Sequence, residues 1–287
     1  PSIREYAVRQ LHHLSDEELS EVLLQLVQAL KHEIYLDSAL ARFLILRALF
    51  NQSQIGHYFF WLLRASMKSL KYRDRFSIIL EIYLRYCSRY RSNLLEQTRL
   101  YDKLIEVATD LKEVQPAKRR PWLHEKLGQI SFGSNFQIPV NSNMMARGFV
   151  ISECKNLESK TLPLWLVCQN ADPLGDQLPV IFKVGDDLRQ DQLTLQMFRL
   201  MDKLWMQNGL DLKMSPYYVI ETGDACGMIE VVLRAQTNAS IQKEYGGGLS
   251  AAFSQKPLLD WLKKNNASEV ELNAAIRDFV RSCAGYC

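Results

Sequence analysis

The chain has 287 residues, 47% of them hydrophobic, which is enough to fill the cores of about two domains. Its formal net charge of +3 is too small to indicate a nucleic-acid partner, and no apolar run approaches the roughly 18 residues that a membrane span needs. Six cysteines without Cys-x-x-Cys spacing predict reduced thiols in the cytoplasm and argue against a metal site or a disulfide framework.

The first segment, residues 1–115, is predicted to be all-helical. Gly56 is its only glycine, and no proline occurs between residues 2 and 115. Ser15 and Glu18 have the spacing of a capping box, which predicts the start of one helix. Further helices are predicted to follow Asp37, Ser53 and Asp74 and to cover residues 94–111. Because these helices are similar in length and joined by short turns, they predict a stacked α-solenoid.

The apolar residues of this segment recur at the helical period, so we expect them to be buried. The predicted inward positions include Leu19, Val22, Leu23, Leu26, Val27, Leu30, Leu40, Phe43, Leu44, Leu46, Phe76, Ile79, Leu80, Tyr83 and Leu84. Four histidines are spread over these helices without a paired acid, which favours a core or surface position over metal binding: His12, His13, His32 and His57.

Glycine and proline become frequent after residue 115, which predicts a change from helices to strands and turns. Residues 116–146 are predicted to be a linker with a short helix over 121–127. Residues 147–233 are predicted to form an α+β small lobe, with a five-stranded antiparallel sheet and one long helix. The predicted strands cover residues 148–154, 162–168, 178–184, 217–221 and 227–233.

The last segment, residues 234–287, is predicted to be the helical start of a second, larger lobe. Gly246-Gly247-Gly248 predicts a flexible turn, and residues 257–264 predict a short helix. Ser268 and Glu271 predict a capping box for the last helix. Its apolar stripe needs a covering partner and consists of Ala275, Ile276, Phe279, Val280 and Cys283.

One strand of the small lobe carries a lysine, Lys183, within a β-branched and aromatic run. Asp187 as N-cap, with Gln190 three residues on, predicts a capping box for the long helix. Asp191 lies in the second turn of that helix. A strand lysine followed by a helix carboxylate is the pair that kinase-type folds use to hold nucleotide phosphates. The spacing alone also fits a lysine whose ammonium lies in water and an Asp191 that only stabilises the helix N-terminus.

The long helix is predicted to have an apolar face at helical spacing. Its members are Leu193, Met197, Leu200, Met201, Leu204 and Trp205.

The lysine stretch resembles the signature of the phosphoinositide 3-kinase catalytic subunits and their lipid-kinase relatives, and the strings of the helical segment and of the hinge narrow the resemblance to the class I catalytic subunits. The matching residues form one unbroken run, Phe182-Lys183-x-Gly185-Asp186-Asp187-Leu188-Arg189-Gln190-Asp191. The helical segment is similar to the helical domain of the same family in Ala7-Val8-Arg9, in residues 24–31, in Arg42-Phe43-Leu44 and in residues 55–61. Residues 227–232 resemble the family's adenine-binding hinge.

The resemblance implies a nucleotide site in this chain. Lys183 would bind phosphate, and Asp191 would hold that lysine. Glu230 and Val232 would offer backbone groups to adenine, and Ser159 would face the phosphates. The full set of implied contacts is Leu157, Ser159, Trp165, Ile181, Lys183, Asp191, Tyr217, Ile229, Glu230, Val231 and Val232.

The family implies ATP and Mg²⁺ as cofactors and transfer of the γ-phosphoryl group to the 3-hydroxyl of a membrane phosphoinositide. The implied partners are a phosphotyrosine-binding regulatory subunit and Ras-type GTPases, at the inner face of the plasma membrane. The chain has no starting methionine, so we expect an excerpt of a longer protein. The catalytic loop and the metal ligands are expected to follow Cys287, which predicts that the excerpt alone is inactive.

Two other functions fit the same residues. One is a helical-repeat scaffold with a non-catalytic kinase-like lobe, which the sequence after Cys287 would reveal by lacking a catalytic and a metal-binding aspartate. The other is a related lipid or protein kinase, and a protein kinase of the giant type would carry long additional helical repeats before Pro1.

Overall fold

The computed structural model of this protein describes residues 2–133, 135–245 and 256–287. The described residues fall into two compact units. The first consists of Pro1–Gln196 with Tyr217–Val231, and the second of Met197–Pro216 with Val232–Cys287. The helical segment and the strands therefore share one unit, and the predicted boundary at residue 115 remains a prediction. The predicted turn at Gly246-Gly247-Gly248 lies outside the described residues.

The first unit begins with a series of helices. They are α1 (Ser2–Leu11), α2 (Asp16–Ala29), α3 (Ala39–Phe50), α4 (His57–Ser66), α5 (Arg73–Tyr86), α6 (Tyr90–Asp110) and α7 (Arg119–Gly128). The capping box at the start of α2 is confirmed, because Ser15 accepts from the Glu18 N–H and the Glu18 carboxylate accepts from the Ser15 N–H. Along the first five helices, packing mainly joins helices two positions apart, α1 with α3, α2 with α4 and α3 with α5, besides α4 with α5. The solenoid remains a prediction.

The cap predicted for α3 is wrong by one residue. Ser38, not Asp37, is the N-cap, and its hydroxyl accepts from the Ala41 N–H at 3.2 Å. Asp37 instead forms an ion pair with Arg42, where a guanidinium competes better for a carboxylate than a neutral N–H does. Asp74 lies in the first turn of α5 rather than before it.

The helix predicted to start at Ser53 has a different form. Gln52–Gly56 is a short π-helix that runs directly into α4, and Asn51 caps it by accepting from the Gln54 N–H. At Gly56 an added Cβ would lie 2.2 Å from the Tyr83 hydroxyl oxygen. The close packing of Gly56 against α5 therefore requires glycine.

Most of the predicted inward positions are buried, and the helices share one core. Val22, Leu26 and Leu84 are partly buried. Leu46 is wrong, since it is 49% exposed. It lies outside the face that Leu40 and Leu44 form at four-residue spacing.

The strands of the first unit form one antiparallel sheet. They are β1 (Phe136–Ile138), β2 (Asn141–Phe149), β3 (Lys155–Asn156), β4 (Leu164–Asn170), β5 (Leu178–Val184), β6 (Val219–Gly223) and β7 (Cys226–Glu230). The strand order is β1-β2-β4-β5-β7-β6, and β3 pairs with β4.

The described sheet thus has seven strands rather than the predicted five. β1 and β3 have only three and two residues, too few to show an alternating pattern in the sequence. The strand predicted over 148–154 is β2, which lies mostly earlier and ends at Phe149. Residues Ile151–Glu153 form a 3₁₀ turn instead.

One face of the sheet packs against the helices. Phe182 on β5 meets Tyr101 on α6 edge-on, with ring centroids 5.2 Å apart, and Tyr101 lies 5.3 Å from Trp61 on α4. The helical segment therefore covers this face, and the opposite face of β4, β5 and β7 is the one that remains for a ligand.

The long helix α8 (Arg189–Gln207) follows β5, as predicted. Its buried residues are Leu195 and Gln196, and the Gln196 amide contacts Glu21 and Gln25 on α2. The apolar face predicted for this helix is largely exposed, with 36–50% exposure at Leu193, Met197, Met201 and Leu204.

The second unit contains α9 (Asn238–Tyr245), α10 (Lys256–Asn265) and α11 (Glu269–Tyr286). The capping box of Ser268 and Glu271 is confirmed. Within this unit Tyr286 packs edge-on against Phe198 and accepts from the Ser215 N–H. The predicted stripe of α11 is only partly covered, since Phe279, Val280 and Cys283 are exposed.

All six cysteines are free thiols in the structure. His57 is the buried member of the four histidines and is fully enclosed in the core. Over the described ranges, helices long and apolar enough to span a bilayer are absent.

Candidate functional site

The face of the sheet opposite the helices carries a row of three apolar side chains. Trp165 on β4 is directly opposite Ile181 on β5, which is directly opposite Ile229 on β7. Residues in direct register point to the same face, about 5 Å apart. All three are half-buried, whereas the alternating residues, such as Phe182, are fully buried against the helices. The row therefore offers a partly open, flat apolar surface that suits an aromatic ring.

Lys183 lies on the same face, two residues beyond Ile181. Its Nζ donates to Asp186 Oδ2 at 3.0 Å, and its side chain is 26% exposed. A cation thus lies beside the middle of the apolar row, about 7 Å along β5 from Ile181, which is the separation of alternate side chains on a strand.

The turn after β5 brings Asp186 back to the lysine. Gly185 has φ +92°, a left-handed conformation that favours glycine. The N–H groups of Gly185 and Asp186 both donate to the Ala225 carbonyl oxygen, at 2.8 and 2.9 Å. The loop is therefore fixed to the β6–β7 turn, and Asp186 is positioned by the backbone rather than by its own side chain.

The pairing predicted between Lys183 and Asp191 is not the one observed. Asp191 lies on an exposed face of α8, and in the described chain the carboxylate that contacts Lys183 is Asp186. The sequence did contain a signal for the pairing with Asp186. Gly185 lies between Lys183 and Asp186, and a glycine at this position allows the chain to turn so that the carboxylate reaches the lysine.

The predicted capping box of Asp187 and Gln190 is also wrong. Asp187 accepts from the Arg189 N–H at 3.2 Å and from the Arg189 Nε at 2.8 Å. These hydrogen bonds lower the pKa of the Asp187 carboxyl group and raise that of the guanidinium. The charged guanidinium of Arg189 binds the Asp187 carboxylate more strongly than the backbone N–H of Gln190 would.

A close approach of two strands supports this corner of the sheet. Gly227 is opposite Lys183 in register, and an added Cβ there would lie 2.2 Å from the Ile220 carbonyl oxygen and 2.9 Å from Leu188 Cδ1. Leu188 is fully buried. Glycine at 227 therefore lets the residue before α8 pack under the strand that carries the predicted hinge.

Glu230, a predicted hinge residue, ends β7, and its carboxylate forms hydrogen bonds. One carboxylate oxygen accepts from the Tyr218 N–H at 2.9 Å, and the other lies 3.3 Å from the Asn141 amide nitrogen. The carboxylate thus fixes the hinge strand to β2 and to the segment before β6. Tyr217 and Val231 are half-buried in the same unit, and Val232, 42% exposed, belongs to the second unit.

The loop predicted to cover phosphates is a closed turn between β3 and β4. The Leu157 N–H donates to the Pro163 carbonyl oxygen at 2.8 Å, and the Leu162 N–H to the Ser159 carbonyl oxygen at 3.2 Å. Leu157 is half-buried, and Ser159 is exposed at the tip. Their contact with a nucleotide remains a prediction.

A buried acid near the site was missed by the sequence reasoning. Glu221 on β6 is 4% exposed, and its Oε1 lies 2.5 Å from Lys68 Nζ and 3.8 Å from Arg189 Nε. Burial raises the pKa of this carboxyl group, although Lys68 acts in the opposite direction. No local pattern connects residues 153 positions apart, so the sequence offered no signal for this pair.

Metal ligands are not grouped in the parts of the chain that the structure describes, where no cluster of three or more His, Cys, Asp or Glu side chains could hold an ion.

Two families match different parts of the chain. The phosphoinositide 3-kinase family accessory domain (PIK domain) matches residues 1–96, and the phosphatidylinositol 3- and 4-kinase family matches residues 177–287. The second match contains β5, the Lys183 turn, α8 and the hinge strand.

Curated relatives match almost the whole chain. Phosphatidylinositol 3-kinase 1 of Dictyostelium discoideum is 46% identical over 285 residues, which are 99% of this chain and 18% of that protein. Phosphatidylinositol 3-kinase 2 of the same organism is also 46% identical, over 99% of this chain and 15% of the relative.

A human relative, phosphatidylinositol 4-phosphate 3-kinase C2 domain-containing subunit beta, is 40% identical over 99% of this chain and 18% of its own length. The chain thus spans less than a fifth of the length of these three relatives. The match to the accessory domain followed by the match to the kinase domain, together with 46% identity in an alignment that covers 99% of its residues, shows that this chain belongs to the phosphoinositide 3-kinase family.

Proposed function

We propose that the protein containing this chain is an ATP-dependent lipid kinase of class I. It would transfer the γ-phosphoryl group of ATP to the 3-hydroxyl of a membrane phosphoinositide. The observation that carries the proposal is the position of Lys183 on the same open sheet face as the row of Trp165, Ile181 and Ile229. The names of the relatives, which specify phosphatidylinositol 3-kinases, support the choice of a lipid substrate.

In this proposal the apolar row contacts the adenine ring. Half-buried side chains lose contact with water when a flat ring covers them. This burial contributes about 25 cal/mol of binding free energy for each Å² of apolar surface removed from solvent. The hinge after β7 supplies backbone hydrogen bonds to the ring edge, as the resemblance implies for Glu230 and Val232. The carboxylate of Glu230 holds the strand in place through Tyr218 and Asn141.

Lys183 neutralises charge on the phosphates. In the structure its ammonium is held by Asp186 at 3.0 Å, so a weak ion pair is exchanged for stronger bonds to phosphate oxygens when ATP binds. Asp186 takes the positioning role that the sequence suggested for Asp191. Its contact with the ammonium holds the end of the Lys183 side chain at the turn after β5.

A kinase domain implies a divalent metal together with ATP, and Mg²⁺ is the ion proposed. As the family resemblance implies, the metal ligands are proposed to lie beyond Cys287. When bound, the metal would neutralise phosphate charge.

The proposed partners follow from the family. They are phosphoinositide at the inner face of the plasma membrane, a phosphotyrosine-binding regulatory subunit and Ras-type GTPases, in growth-factor signalling. The helical segment is proposed to dock the regulatory subunit.

The experiment measures phosphoinositide phosphorylation by the full-length parent protein on vesicles, with Lys183→Met and a control, Lys103→Met, on the exposed surface of α6. We expect Lys183→Met to abolish transfer with an unchanged melting temperature and Lys103→Met to behave like the wild type. Wild-type protein that phosphorylates neither lipid nor itself would support the scaffold alternative. Phosphorylation of protein substrates without lipid would support a protein kinase.

A further inference from the structure

A second cavity lies in the first unit, away from the apolar row. It has a volume of about 480 Å³ and is enclosed by α2, the end of α4, β6 and the first turn of α8. We call it the basic cavity and define it by Lys31, Lys68, Arg189, Glu221, Leu62 and Leu193. Its volume falls in the range of roughly 300–1,000 Å³ that is usual for small-molecule sites.

Three cationic side chains from three separate elements face this cavity. Lys31 follows α2, Lys68 follows α4, and Arg189 begins α8. Glu221, buried in the wall, holds Lys68 at 2.5 Å and lies 3.8 Å from Arg189. Asp187 holds Arg189 from outside the cavity. Counting both carboxylates, the cluster keeps one excess positive charge.

Among the described residues, Lys31 is the one cation of the basic cavity that has no carboxylate partner. Its Nζ contacts the Gln28 side-chain oxygen and lies 5.7 Å from the centre of the Tyr72 ring, and no described carboxylate is within ion-pair distance of it. The pKa of Lys31 is lowered, mainly by burial and next by the charge of Arg189. An anion in the cavity would relieve both effects, because it would offset the loss of water and the repulsion between cations.

The walls of the cavity are amphiphilic. Leu62 and Leu193 line it together with the polar side chains of Gln25 and Gln192. A simple inorganic anion would leave the apolar part of the cavity in contact with water. An anion attached to a short apolar group would satisfy both parts of the lining.

We propose that the basic cavity binds a phosphate monoester with a short apolar group, its phosphate contacting Lys31, Lys68 and Arg189. Phosphate is favoured over carboxylate because three cations from three directions match the oxygens of a tetrahedral group, whereas a carboxylate matches one planar guanidinium. The fork of Arg189 is already used by Asp187, which leaves single donors for the ligand.

The test is calorimetric titration of the full-length protein with hexyl phosphate and, separately, with inorganic phosphate. Hexyl phosphate is expected to bind at least tenfold more tightly than inorganic phosphate. Lys31→Met is expected to weaken hexyl phosphate binding by about 10- to 100-fold, since a charge-assisted hydrogen bond is lost. Lys31→Arg, which keeps the charge, should restore most of the affinity.

The matched control is Lys71→Met. Lys71 also lies over the Tyr72 ring, at 5.1 Å from its centre, but it does not line the cavity. This variant and Lys183→Met should bind hexyl phosphate like the wild type, and saturating ATP should not displace the probe. The proposal is overturned by no binding of hexyl phosphate at millimolar concentration, by equal effects at Lys31 and Lys71, or by displacement with ATP.

Discussion

The buried imidazole of His57 predicts a specific loss of stability in mild acid. His57 is fully buried at the start of α4, its Nε2 is 3.0 Å from the Pro139 carbonyl oxygen, and its Nδ1 is 3.2 Å from the Tyr90 hydroxyl. The contact with Pro139 places a proton on Nε2 of a neutral ring. Burial lowers the pKa of His57 from 6.5 to about 4, which the Pro139 hydrogen bond only partly opposes.

The sign of the effect follows from proton uptake. Because the pKa is lower in the folded than in the unfolded chain, the unfolded chain binds more protons between pH 6.5 and about pH 4. The free energy of unfolding therefore falls as the pH falls through this window. Each pKa unit is worth about 1.4 kcal/mol, so His57 accounts for a loss of about 1.4 kcal/mol at pH 5.5 and about 3 kcal/mol near pH 4.

The assay is urea unfolding at pH 7.5 and pH 5.5 for three proteins: the wild type, His57→Gln and His13→Gln. Glutamine can still donate to Pro139 but does not titrate, and His13 is exposed on the loop before α2. The wild type and His13→Gln should lose about 1.4 kcal/mol more than His57→Gln between the two pH values. An equal loss in all three proteins would refute the assignment of the pH dependence to His57.

Three further predictions concern the sheet and the core. Gly227→Ala should lower the free energy of unfolding, measured by urea titration, by about 1–3 kcal/mol or more, because the added Cβ would lie 2.2 Å from the Ile220 carbonyl oxygen. A loss below about 0.5 kcal/mol would contradict this packing. Tyr83→Phe should leave the free energy of unfolding unchanged or raise it by up to about 1 kcal/mol, since the buried hydroxyl has no hydrogen-bond partner among the described residues. A lower melting temperature of this variant would mean that the hydroxyl does have a partner in the protein. Asn141→Ala in the full-length protein should raise the KM for ATP roughly two- to tenfold in steady-state kinetics, because Glu230 loses its hydrogen bond to Asn141. An unchanged KM would show that this contact does not influence nucleotide binding.

The sequence predicted those parts of the fold that depend on local signals. The capping box at Ser15 and the strand that carries Lys183 depend on residues within a few positions of each other, and both are observed. The caps at Asp37 and Asp187 failed because each acid has an arginine within five residues, and the guanidinium takes the carboxylate away from the backbone.

The candidate site was only partly predictable for a different reason. The row that includes Trp165 and Ile181 depends on strand register, which the family resemblance supplied and spacing alone did not. The Asp186 pairing depends on the left-handed Gly185 and on a carbonyl from the β6–β7 turn, about 40 residues later in the chain. The contact of Glu221 with Lys68 joins β6 to the end of α4, and only the folded structure shows it.

The central claim is that Lys183 lies beside bound nucleotide phosphates, and an acyl phosphate derivative of ATP tests it directly. The reagent transfers its acyl group to a lysine amine near the phosphates, forming an amide and releasing ATP. Mass spectrometry of the labelled full-length protein should find the acyl group on Lys183, and excess ATP should prevent the labelling. Acylation at Lys155 or Lys160 that ATP prevents, with Lys183 unlabelled, would place the phosphates elsewhere and contradict the proposed site.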